Sequence, residues 1–68
     1  MALRLKDVQV GKQYRIKQNF GNGPTVIATV TNVEANIKNG RPGVDYVVNG
    51  GVDDGDECWA YLDQVSHL

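Results

Sequence analysis

Apolar and polar positions alternate with a period of two along most of this chain, in short runs that glycine-rich turns interrupt. Over Gln13 to Gln18, Tyr14 and Ile16 point one way while Gln13, Arg15 and Lys17 point the other, which predicts a half-buried strand. Thr25 to Val33 is long and rich in β-branched residues. Its predicted core face is Val26, Ala28 and Val30, with Ile27, Thr29 and Thr31 outward. Val44 to Val48 predicts a third strand with Val44, Tyr46 and Val48 inward and Asp45 outward. Glu57 to Tyr61 predicts a fourth, and Leu3, Leu5, Val8 and Val10 supply a fifth strand or a covering arm. The turn signals between them are Gly11, Gly21-Asn22-Gly23-Pro24, the loop Asn36 to Gly43, and Asn49-Gly50-Gly51 running into Asp53-Asp54-Gly55-Asp56. No segment keeps a helical period for more than about two turns. The pattern predicts one all-β domain over residues 1–68, built as a five-stranded small barrel.

Two segments resemble the SH3-like barrel group, which includes translation-factor KOW-type modules and many small proteins of phages and mobile elements. Val10-Gly11-Lys12-Gln13-Tyr14-Arg15-Ile16 is similar to the opening of a first barrel strand from a glycine turn. Trp59-Ala60-Tyr61-Leu62-Asp63-Gln64-Val65 is similar to a closing strand followed by a short 3-10 turn at Leu62 to Gln64. The resemblance implies a fold, and with the small size it implies a phage or mobile-element type of protein. The plasmid-borne type II dihydrofolate reductases belong to the same group and build a shared pore from this closing strand in a tetramer. Their Val-Gln-Ile-Tyr motif and flanking proline are absent here, where the stretch reads Cys58-Trp59-Ala60-Tyr61.

Size and charge narrow the reading further. A chain of 68 residues buries only about 60% of the surface its unfolded form exposes, so its core is marginal and self-association is a natural aid. One cysteine allows no internal disulfide, and one histidine allows no Cys/His zinc set. No cofactor or metal is expected. The lone thiol, the charged N-terminal stretch without an apolar core, and the lack of any run of about 20 apolar residues together predict a cytoplasmic protein with no membrane association. A net charge of −1 is far from the basic excess of proteins that live on phosphate backbones.

The fourth strand carries the candidate chemistry. Glu57, Trp59 and Tyr61 share one face, while Cys58, Ala60 and Leu62 share the other, and a single-layer sheet buries only one of them. With the small set inside, Trp59 and Tyr61 lie outward as anchors for a partner. Arg15, Lys17 and Thr29, outward on neighbouring strands, complete that candidate surface; Lys38 and Arg41 are further candidates in the second loop. Aromatics beside cations suit a protein interface, or single-stranded nucleic acid held by stacking and phosphate contacts. The scattered cations favour a protein partner or a second copy of the chain.

Other motifs imply less. The acidic turn lacks the EF-hand spacing, with Gly55 interrupting the carboxylates and no glutamate at the twelfth position, so it reads as a hairpin tip. Gly21-Asn22-Gly23-Pro24 opens a strand and is no phosphate loop. Cys58 has no histidine near it in sequence and follows Asp56 and Glu57, which oppose thiolate formation, so it reads as a small packing residue rather than a nucleophile.

Overall fold

The computed structural model describes residues 3–68. It contains five strands: β1 (Gln13–Lys17), β2 (Thr25–Lys38), β3 (Arg41–Val48), β4 (Glu57–Tyr61) and β5 (Val65–Ser66). All pairings are antiparallel, and the sheet order is β4-β3-β2-β1-β5. The helical pieces among the described residues are three-residue 3-10 turns at Leu5–Asp7, Asn19–Gly21 and Leu62–Gln64. The all-β architecture, the strand count and the last of these turns agree with the alternation read from the sequence.

Two elements differ from expectation. The fifth strand is Val65–Ser66, which pairs with β1 through Arg15↔Ser66 and Ile16↔Val65. Of the two roles expected for the N-terminal apolar residues they take that of the covering arm, with Leu3 and Val8 buried and Val10 exposed. The turn at Leu5–Asp7 interrupts any extended pairing there, and Gln9 N–H donates to the Tyr14 hydroxyl (2.8 Å) to seat the arm. The second difference is the expected loop from Asn36 to Gly43. Asn39 and Gly40 take positive φ (56° and 73°), and Lys38 pairs directly with Arg41, so β2 and β3 run on into a two-residue hairpin. Asn-Gly is itself the sequence signal for such a turn. Pro42 beside it masks the signal, because proline normally demotes a strand; here it falls where the β2–β3 register slips between Glu34 and Lys38.

One face of the sheet makes the core. Tyr14, Ile16, Ala28, Val30, Val44, Tyr46, Val48, Ala60 and Val65 line it, with Leu3 and Val8 laid over from the arm. The inward positions predicted for β1 and β3 are all there, while Val26 at the start of β2 is only partly buried. A second register slip, between Val30 and Asn32, lets β2 serve β1 at one end and β3 at the other. The edge strands β4 and β5 share no ladder, so the sheet stays open. Gln64 bridges the seam, accepting the Tyr61 N–H (2.9 Å) and donating to the Lys17 carbonyl (2.7 Å).

Candidate functional site

Register decides the face of each β4 side chain. Ala60 lies opposite buried Val44 and points inward, whereas Trp59 lies opposite Asp45 and Tyr61 opposite Gly43 on the outer face. The two aromatics do project outward, as the small-inside reading expects. They are not bare: Trp59 is half-buried and Tyr61 is only 8% exposed.

What covers them comes from two other segments. The Phe20 ring packs against Trp59 (5.9 Å between centroids, edge-on) and Tyr61 (6.0 Å), and Trp59 meets Tyr61 edge-on at 5.2 Å. Edge-to-face contacts of this kind are favourable beyond the area they bury. From the β2–β3 hairpin, Lys38 Nζ sits 5.3 Å from the Trp59 ring and the Arg41 guanidinium 4.1 Å from that of Tyr61. Asn39 Nδ2 donates to the Tyr61 hydroxyl (3.0 Å), and Arg41 pairs with Asp63 (2.7 Å). The Asn-Gly turn thus delivers Lys38 and Arg41 together onto the aromatic pair.

The candidate residues divide into two groups. Trp59, Tyr61, Lys38 and Arg41 assemble into one cluster. Arg15 and Lys17 point outward from β1, with β2 and β3 intervening before β4. Thr29 is tied to Asn49, donating its hydroxyl to Oδ1 (2.7 Å).

Phe20 is the residue the alternation does not reveal, because it falls inside a run of turn formers. It is 64% exposed, and its backbone sits in the left-handed region (φ 55°, ψ 30°) directly after Asn19 at φ 53°. Asparagine tolerates that region; for phenylalanine it costs about 1 kcal/mol or more. The bend is held by Gln18, whose carbonyl accepts the N–H groups of Gly21 (3.2 Å) and Gly23 (2.8 Å). A lone aromatic where glycine or asparagine suits the backbone is the signal that could have marked it.

Beside this ridge, the open seam leaves a cleft of about 360 Å³ lined by Gln18, Phe20, Tyr46, Cys58, Trp59 and Gln64. The packing role expected of Cys58 is overturned here. The cysteine lies opposite Tyr46 in register yet is exposed, because it stands near the start of β4 where the seam opens into this cleft. Among the described residues no group of His, Cys, Asp and Glu is arranged to hold a metal. The acidic turn is internally tied, with Asp54 accepting the Gly50 N–H (2.6 Å).

Burial raises the Tyr46 pKa above its ordinary value, and the hydrogen bond from Gln18 Nε2 (3.1 Å) only partly offsets this. The folded state therefore holds the phenolic proton more tightly than the unfolded chain. The associated stability is complete below about pH 10 and falls as pH rises from there through the folded pKa. Urea unfolding at neutral and strongly alkaline pH should show this decline, and Tyr46→Phe should make it shallower. An equally steep decline in both proteins would remove Tyr46 as its source.

No protein-family model matches the chain, and no curated protein or solved structure shows significant similarity to it.

Proposed function

We propose that this chain is a small SH3-like module that performs no catalysis and binds a protein partner through the outward ridge of Phe20, Trp59 and Tyr61. The observation that carries this reading is Phe20, an exposed aromatic seated on Trp59 by a backbone conformation that is unfavourable for it. Strain of this kind persists where a function selects it. Aromatics set on a rigid sheet are the commonest anchors of protein interfaces.

The charges around the ridge favour protein over single-stranded nucleic acid. Arg41 is already engaged by Asp63 and Tyr61, so Lys38 is the cluster's one cation without a carboxylate partner among the described residues. A single phosphate contact gives a salt slope of only about −0.7 on a log–log scale. Nucleic-acid binding of any strength would need several.

The test is capture by immobilised protein from a lysate of its native host, followed by affinity measurement on the purified partner. Trp59→Ala should weaken binding by about thirtyfold, the mark of an anchor worth about 2 kcal/mol, while Arg15→Ala leaves it unchanged and added salt moves it little. Tight, steeply salt-dependent binding of an oligothymidine in place of a protein would defeat this reading.

A further inference from the structure

Charge is segregated along this nearly neutral chain. Residues 1–17 hold Arg4, Lys6, Lys12, Arg15 and Lys17 against Asp7 alone. Residues 32–57 hold six carboxylates, among them Asp53, Asp54 and Asp56, against Lys38 and Arg41. The fold then brings part of each set to one side of the molecule.

Arg15 and Lys17 project from the outer face of β1 and have no acidic cross-strand neighbour: Arg15 faces Ile27 and Ser66, and Lys17 faces Thr25. Ile27, 44% exposed, is an apolar point on this basic face. The next residue across is Asn49, whose N–H donates to the Ile27 carbonyl (2.9 Å). Its Oδ1 accepts from Thr29 and from Gln13 Nε2 (3.1 Å), both outer-face residues. From Asn49 the chain enters the acidic turn directly, with Val52 wholly exposed beside Asp53. The turn is fixed by the Gly50–Asp54 bond and by the Gly55 N–H on the Val48 carbonyl (2.8 Å). Among the described residues, no ion pair joins its carboxylates to Arg15 or Lys17.

We propose that this side of the molecule, the outer face of β1 and β2 together with the Gly50–Asp56 turn, is a two-fold interface for a second copy of the chain. A surface that carries an apolar point among cations beside an apolar point among carboxylates selects a surface with the same two features in reverse. A phosphate backbone or a uniformly basic partner would satisfy one half and be repelled by the other. A second copy, rotated by a half-turn, satisfies both: each acidic turn lies on the other's basic face and each Val52 meets the other's Ile27. Because the two patches adjoin on one side, the pairing closes as a dimer rather than extending into a filament. The interface uses none of the ridge residues Phe20, Trp59 and Tyr61 and does not depend on them.

The experiment is sedimentation of the full chain over a dilution series, with charge reversals on each half. One variant combines Arg15→Glu and Lys17→Glu. The other combines Asp53→Lys and Asp56→Lys, sparing Asp54 because it ties the turn. Wild-type protein should dimerise, and more weakly as salt screens the charges. Each variant alone should dimerise at least about tenfold more weakly through like-charge repulsion. Mixed in equal amounts, the two should form a one-to-one heterodimer at close to wild-type strength, since every contact is again between opposite charges. Matching thermal midpoints would show that both variants are folded, and Trp59→Ala should leave the dimer intact. A wild-type chain that stays monomeric at millimolar concentration, a dimer indifferent to both reversals or lost with Trp59→Ala, or a mixture that fails to associate would each overturn the proposal.

Discussion

Replacing Gly43 by alanine is expected to lower the thermal midpoint by roughly 10 °C, because 1 kcal/mol is worth about 4–8 °C in a domain of this size. Gly43 is buried in β3, opposite Tyr61 on one side and Glu34 on the other. A methyl group there would run into the Ala60 carbonyl oxygen and the Ile37 side chain. The carbonyl belongs to the β3–β4 pairing and cannot swing aside as a flexible side chain would. Relief must come from separating the strands or displacing Ile37, an overpacking cost of about 1–3 kcal/mol.

That cost is large against the total. A chain of 68 residues has a net stability of only about 3–10 kcal/mol at the usual value per residue. Gly40, whose φ is +73° but whose Cβ would meet nothing, is the useful contrast. Alanine there should cost only the backbone strain of about 1 kcal/mol. Thermal unfolding of both variants checks the difference. A Gly43→Ala midpoint within a few degrees of wild type would mean that the strands yield more easily than the close approach implies.

Replacing Phe20 by asparagine should separate binding from stability. Asparagine is at ease in the left-handed region that Phe20 occupies, so the substitution recovers about 1 kcal/mol of backbone strain. It gives up the packing of a ring that is 64% exposed, worth about 1 kcal/mol with its aromatic contacts. The two nearly cancel, and the unfolding free energy should stay within about 1 kcal/mol of wild type. Partner affinity should nevertheless fall by about thirtyfold or more, the loss of a central aromatic anchor. Iodide should also quench Trp59 more readily, since Phe20 is one of the groups lying against it. A variant that binds as wild type would remove Phe20 from the site, and one that unfolds at room temperature would make its role structural. The combination of intact fold and lost binding is the expected signature of a residue kept for binding rather than for stability.

The face of Trp59 was legible as a choice rather than as an answer. Alternation puts Trp59 and Tyr61 together and Ala60 apart from them whatever the fold, because a strand's period is two. Only the register of β4 on β3, with Ala60 opposite buried Val44, decides which set is inside. Cys58 shows the limit of that logic. Its position in the alternation is inward, yet it is exposed, because it lies where the open seam leaves a cleft, whereas Ala60 further along the same edge strand is covered. Lys38 and Arg41 were visible as cations near a turn, but the two-residue Asn39-Gly40 hairpin is what sets them over the aromatic rings. Phe20 was hidden by its surroundings, since turn residues carry no period from which a side chain's direction can be read.

The sequence by itself determined the all-β class, the facing of β1 and β3, and the bounds of β4, because these follow from a local repeat that binds each residue to its second neighbour. Tertiary structure alone decided which segment supplies the fifth strand beside β1, which segments converge on Trp59, and which side of the molecule gathers opposite charges. Those outcomes depend on register slips in β2, on side chains such as Gln64 that reach across the seam and on the long-range pairing of strands, and none of these leaves a periodic trace in the chain.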